Sequence, residues 1–216
     1  MSSLRFRYQT LEFGETDIHI KTLRDKQQYN DDDGRAADAG ISPASWPLFG
    51  TVWASGEVLA QLMMNFSIKD KRILEVGCGI GLASLMLNQR EADITATDHH
   101  PMAGDFLREN TRLNQGRVIP FYRTDWQDSP LELGDFDLII GSDLLYERDH
   151  VEQLSAFVEQ HARTRCEVII VDPGRAQRSG FSRKMLDYGY NLLPSKVCNI
   201  NDLSQPFRGQ ILHYQR

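Results

Sequence analysis

At 216 residues the chain fits one domain, or one domain with a small appendage, and is long enough to bury a substantial core. Its 24 basic and 30 acidic residues give a formal charge of -6, which argues against phosphate-backbone binding as the main task. Cys78, Cys166 and Cys198 are odd in number and widely spaced, so they point to neither a disulfide framework nor a zinc site and suit a reducing compartment. The opening stretch MSSLRFRYQT lacks the continuous apolar region of a signal peptide, and no run approaches the roughly 20 apolar residues that span a bilayer. The expectation is a soluble cytoplasmic protein with neither a membrane nor a nucleic acid as partner.

In chain order, LRFRYQTLEFGETDIHIKTL alternates polar and apolar residues on both sides of Gly14-Glu15, the pattern of an antiparallel hairpin with one buried face. Arg24 to Gly40, RDKQQYNDDDGRAADAG, is polar, acidic and poor in apolar anchors, and it reads as a mobile loop or linker, with an ordered lid as the alternative. Residues 1–45 therefore form an appendage to a main domain over 46–216. Between Trp53 and Met64, the residues Val58, Leu59, Leu62 and Met63 fall on one helical face suited to packing on a sheet.

Beyond that helix, strand-like and helical runs alternate. Arg72–Val76 precedes a helix over Leu82–Asn88, Asp93–Thr97 precedes one over Met102–Asn114, and Arg117–Tyr122 is a third strand. Phe136–Gly141 then precedes a helix over His150–His161, and Glu167–Val171 one over Ser179–Tyr188. Such alternation predicts an α/β fold with right-handed crossovers and a largely parallel sheet covered by helices on both faces. The tail departs from it, because YNLLPSKVCNI and RGQILHYQR read as two strands without a full helix between them, an antiparallel pair at one edge.

The first crossover carries the most informative turn, Gly77-Cys78-Gly79-Ile80-Gly81. In open α/β sheets ligands bind beyond the carboxyl ends of the strands, and glycine leaves no Cβ in the way of a ligand lying against the backbone. A dinucleotide fingerprint would be Gly-x-Gly-x-x-Gly, whereas Leu82 follows Gly81, so NAD is disfavoured. Glu75, just before the glycines, would repel a pyrophosphate and welcome a cation. Asp98 closes the next strand, where an acid reaches both hydroxyls of a ribose or else caps the following helix. Asp125 and Trp126 follow the third strand and offer a carboxylate and an aromatic surface to an adenine, the alternative for Trp126 being a core position.

Glu75-x-Gly77-x-Gly79-x-Gly81, Asp98 and Asp125-Trp126 together resemble the seven-strand S-adenosylmethionine-dependent methyltransferases, over roughly Trp53 to the C-terminus. The resemblance implies a Rossmann-like sheet of order 3-2-1-4-5-7-6 with the seventh strand antiparallel. It implies S-adenosyl-L-methionine as cofactor, with Gly77, Cys78, Gly79 and Gly81 at its amino-acid moiety, Asp98 at the ribose, Asp125 and Trp126 at the adenine, and Glu75 among the cofactor-binding residues. Asp143-Leu144-Leu145-Tyr146 in GSDLLYE resembles the Asp-x-x-Tyr signature of methyltransferase family 16, a group rich in protein-lysine methyltransferases. GTVWASGEVLA is similar to that group's segment ahead of the glycines, and the N-terminal hairpin is shared. By this narrower resemblance Trp53 and Ser142 border the cofactor, and Asp143 and Tyr146 are the catalytic pair. VDPGR resembles only some branches, among them enzymes acting on the electron-transfer flavoprotein β subunit; Asp172 and Arg175 read alternatively as an ion pair or a stabilised turn.

The implied activity is transfer of a methyl group to a lysine of a protein substrate. Methyl transfer on the same scaffold to a small-molecule amine, or cofactor binding without turnover, are the alternatives. A lysine amine, with a free pKa of about 10.4, must lose a proton before it can attack. Asp143 suits orientation and electrostatics before general-base work, since a carboxylate favours the charged amine. Adjacent His99 and His100 point apart and lack a carboxylate or Cys to complete a ligand set, so no metal centre is expected. His19, His150, His161 and His213 are scattered and read as surface or packing residues.

Overall fold

The computed structural model describes residues 4–25, 29–43, 45–128, 131–194, 203–204 and 206–216. Strands β1 (Phe6–Phe13) and β2 (Thr16–Leu23) form the anticipated hairpin about Gly14. Ile18, Ile20 and Leu23 of β2 are buried, whereas β1 is mostly exposed. Two asparagines on the helix α4 (Ala103–Leu113) and at its end then dock the free edge of β2. Asn110 Oδ1 accepts the Lys21 N–H at 2.7 Å and its Nδ2 donates to the Lys21 carbonyl at 3.4 Å. Asn114 treats His19 the same way, at 2.8 and 2.6 Å. Four helical residues rise about 6 Å, close to the roughly 6.8 Å of two strand residues, so the two amides imitate two rungs of a missing strand.

The main sheet contains β3 (Arg72–Val76), β4 (Asp93–Asp98), β5 (Phe121–Arg123), β6 (Phe136–Ser142), β7 (Ala162–Asp172), β8 (Asn191–Leu193) and β9 (Gln210–Gln215). Their spatial order is β5-β4-β3-β6-β7-β9-β8. Numbered from β3, this is the expected 3-2-1-4-5-7-6. The strand β9 runs antiparallel to both β7 and β8, while the other pairs are parallel.

The remaining helices are α1 (Arg35–Asp38), α2 (Ala54–Asn65), α3 (Leu82–Gln89), α5 (His150–His161) and α6 (Arg178–Asp187). Strand alternation sorts them. Ile73, Leu138, Ile140, Ile169 and Val171 pack with α2, α3 and α4 on one face, and Leu74, Val76, Ile139, Val168 and Ile170 with α5 and α6 on the other. The spacing of Ala103, Phe106, Leu107, Asn110 and Thr111 turns one stripe of α4 inward. No helix among the described residues is long and apolar enough to cross a membrane.

Three expectations need correction. The third strand covers only Phe121–Arg123, because Pro120 has no N–H for the ladder; its carbonyl still accepts from Ala96. The strand β7 begins at Ala162, five residues before Glu167, in a stretch too polar to read as a strand. The segment Arg24 to Gly40 is not a mobile loop where it is described. Tyr29 and Ala36 are buried, Tyr29 meets Trp46, Phe49 and His100 edge-on, and Asp31 accepts the N–H groups of Ala36 and Ala37. Its residues 26–28, like most of the anticipated strand over Tyr190 to Ile200, lie outside the described residues.

Candidate active site

The chain steps outward from β3 through β4 to β5 and then returns to the other side of β3 as β6, and this reversal opens a crevice at the carboxyl ends of β3 and its neighbours. A cavity of about 240 Å³ occupies it. Of the anticipated site residues, Trp53, Glu75, Gly77, Cys78, Gly79, Asp98, Asp125, Trp126, Ser142, Asp143 and Tyr146 all line the cavity, and Gly81 does not.

The glycine turn divides its labour. All three glycines have left-handed φ, at 61°, 56° and 82°. A Cβ on Gly81 would lie 2.3 Å from Leu107 Cδ1, so this glycine lets α4 close on the N-terminus of α3. A Cβ on Gly77 would lie 2.5 Å from Leu144 Cδ2, and the same leucine also bears on Gly141. Leu144 is thus a wedge seated between two glycines, and it fixes the Asp143–Tyr146 loop against the sheet. Only at Gly79 does the Cβ position meet nothing within 4 Å.

Two acids brace this turn. Glu75 is buried on the α3 side of the sheet, where its Oε2 accepts both the N–H of Ser84, at 2.8 Å, and the Ser84 hydroxyl. Burial pushes its carboxyl up to about 7, against the opposing pull of the Ser84 hydrogen bonds. Asp98 Oδ2 accepts the Gly79 N–H at 2.7 Å, and Oδ1 accepts the His100 N–H at 2.7 Å. Its carboxyl is also raised, by burial first, with those amide bonds working the other way. Asp98 therefore ties the end of β4 to the turn after β3, and its bond to the His100 N–H closes a local turn rather than capping α4, whose N-cap is Met102.

Along one wall, His150 joins Trp126 to Tyr146, with ring centroids 5.1 and 4.5 Å away and both contacts edge-on. The His150 Nδ1 donates to the Leu144 carbonyl at 2.8 Å. Asp125 lies 3.3 Å from His99 Nδ1, and the other ring nitrogen of His99 donates to the Ala39 carbonyl. The roof includes Ile41, Leu48 and Phe49, with His100 stacked on Phe49 at 3.6 Å. Burial drives His100 down to about 3, so the ring is neutral: Nδ1 accepts from the Met102 N–H, and Nε2 has no partner among the described residues. Among those residues no group of three or more His, Cys, Asp and Glu could hold a metal ion.

At the other end, Asp143 follows β6 in the left-handed region, φ 56°, a conformation that few residues other than glycine adopt. Its N–H donates to the Val171 carbonyl at 2.9 Å. Arg175 donates to Asp143 Oδ1 from Nε at 2.9 Å and from Nη2 at 2.6 Å. Asp172 is not the ion-pair partner of Arg175; its Oδ1 accepts the N–H groups of Gly174 and Arg175 and stabilises the turn. The Tyr146 phenol is raised to about 12, mainly by desolvation and then by the nearby Asp98, Glu147 and Asp143 carboxylates. The residue is 41% exposed, which weakens the effect of desolvation, yet either way the hydroxyl keeps its proton at neutral pH.

Sequence reasoning missed His99, His100, His150, Phe49 and Ile41 as lining residues. The only signal was position, since His99 and His100 follow Asp98 directly and His150 stands four residues beyond Tyr146.

The family model described as lysine methyltransferase matches residues 48–185. The human electron transfer flavoprotein beta subunit lysine methyltransferase is 30% identical over 148 residues, covering 67% of this chain and 56% of that protein. The zebrafish (Danio rerio) protein N-lysine methyltransferase METTL21A is 35% identical over 104 residues, 44% of this chain and 47% of that one. The chain thus spans about half the length of these curated relatives. Among solved structures, M. jannaschii TYW2 in complex with AdoMet superposes with a TM-score of 0.60 at 16% identity, over 99% of this chain and 86% of that one, a likeness of fold. The chain belongs to the lysine methyltransferase family.

Proposed function

We propose that this protein is an S-adenosylmethionine-dependent methyltransferase that acts on a lysine side chain of a protein substrate. The observation that carries this reading is that one cavity joins the Gly79–Asp98 turn to the Asp143–Tyr146 loop. The lining suits a cationic adenosyl ligand: Asp98, Asp125 and Asp143 outnumber Arg175, and the approach to Gly79 is open. Gly77 to Gly79 with Glu75 would hold the amino-acid moiety, Asp98 the ribose, and Asp125 with Trp126 the adenine, with Trp53 and Ser142 alongside. Bound there, S-adenosylmethionine supplies a methyl group activated on a sulfonium. The remaining work falls to positioning and exclusion of water. Asp143 orients the incoming amine, Tyr146 walls the slot with a hydroxyl that stays protonated, and the amine sheds its proton to water.

The names of the relatives favour a protein-bound lysine as acceptor. A net charge of -6 weighs against a nucleic acid. Cys78 and Cys166 are free and buried, in keeping with the reducing cytoplasm as compartment. The test is incubation of the protein with methyl-labelled S-adenosylmethionine and a cell extract. Label should enter lysine of a protein and fall by about a hundredfold or more with Asp143→Asn. Label confined to the low-mass fraction would instead identify a small-molecule amine as acceptor, and no label at all would contradict the activity.

A further inference from the structure

A bare carboxylate is a poor host for a nucleophilic amine, since its charge favours the ammonium form, which has no lone pair. In this protein Asp143 is not bare. Both guanidinium hydrogen bonds of Arg175 fall on Oδ1, which leaves Oδ2 to meet a ligand. The pair is held from both sides. The fully buried Asp172 fixes the turn that carries Arg175, with Gly174 at φ 104°, and the Val171 carbonyl fixes the Asp143 N–H. The Asp143 side chain is 14% exposed, so the pair is only partly screened by water.

Resting on the methyltransferase reading above, we propose that Arg175 is a positioning residue that sets the charge of the acceptor slot. It holds Asp143 as one half of an ion pair, so that the slot takes an amine in its neutral, nucleophilic form. The other charged or titratable groups around the slot do not duplicate this. Asp98 is held at the cofactor end of the cavity by the Gly79 and His100 amides, Glu147 is mostly exposed beside His150, and Tyr146 keeps its proton. Arg175 is the one cation lining the cavity among the described residues, histidines aside.

The test uses two ligands that need no knowledge of the substrate: S-adenosylhomocysteine, and sinefungin, in which a carbon-borne amine replaces the methyl-bearing sulfonium. Calorimetry compares wild type, Arg175→Gln and Arg175→Lys, with thermal melts to verify folding. With Arg175→Gln, sinefungin should bind about tenfold tighter near pH 7, because the amine can stay charged beside an unpaired Asp143, while S-adenosylhomocysteine changes by less than about twofold. Wild-type affinity for sinefungin should climb from about pH 7 to about pH 9 as the amine loses its proton, and the variant's should stay flat. Arg175→Lys should restore the wild-type profile. Equal changes for both ligands, or no change for either, would overturn the role of Arg175 and leave the cofactor site standing. Failure of wild type to bind either ligand would overturn the cofactor site and this role together.

Discussion

The two ends of the cavity are held by opposite means. Where β3 and β4 finish, the backbone does the holding: a glycine turn, the Gly79 N–H on Asp98, the Ser84 N–H on Glu75. Where β6 and β7 finish, side chains do it: the Arg175–Asp143 pair, the Leu144 wedge and the edge-on rings of His150 and Tyr146. The first arrangement has few degrees of freedom and suits a ligand that is always the same. The second can be retuned by single substitutions, which suits the part of a site that varies with the acceptor.

The comparison predicts separable damage. The largest effect belongs to Gly79→Arg, which puts a long side chain into the open approach and should abolish binding of S-adenosylhomocysteine by calorimetry. A left-handed non-glycine residue costs about 1–2 kcal/mol, so the melting temperature should drop by only a few degrees. Retained affinity would mean that the ligand end is elsewhere. Asp143→Asn should do the reverse, keeping S-adenosylhomocysteine affinity within about threefold while losing about a hundredfold in transfer. Equal loss of both would collapse the distinction between the two ends.

The smallest effect concerns Glu75 and pH. Its carboxyl moves from an ordinary 4.5 in the open chain to about 7 in the fold, through burial. Between those values the folded state keeps a proton that the unfolded state has released, so this group's stabilising contribution is full below 4.5 and is lost as pH rises toward 7. Glu75→Gln removes that slope. In melts at about pH 5 and pH 8, the variant should gain on wild type by about 2 kcal/mol over the interval. An unchanged gap would mean that Glu75 is already ionised in the fold at the lower pH.

How far each end was legible in the sequence follows from the same contrast. Glu75 and the closely spaced glycines between a strand and a helix must lie together because the chain there is short, and Asp98 joins them through the parallel pairing of neighbouring strands that the alternation predicts. The alternation of strands and helices was legible through periodicity, apart from the ends of β5 and β7, whereas the order of the strands was implied by the resemblance to the seven-strand methyltransferases. The partner of Asp143 was not, since Arg175 stands 32 residues away and only the parallel pairing of β6 with β7 brings them together. The roles of Gly77 and Gly81 were also hidden, because Leu144 and Leu107 reach them from distant segments. The acidic segment after the hairpin misled for a related reason. Its few anchors, Tyr29 and Ala36, are outnumbered by charged residues, and Tyr29 finds its cage of Trp46, Phe49 and His100 only in the folded chain. Nothing local marked Asn110 and Asn114 as the clasp of β2.

The most direct test is a crystal structure of the protein with S-adenosylhomocysteine bound. The account predicts density with the amino-acid moiety along Gly77 to Gly79, ribose hydroxyls on Asp98, the adenine beside Trp126, and the sulfur facing the Asp143–Tyr146 loop. Density at any other place on the molecule, or an adenosyl group that leaves Asp98 untouched, would contradict it.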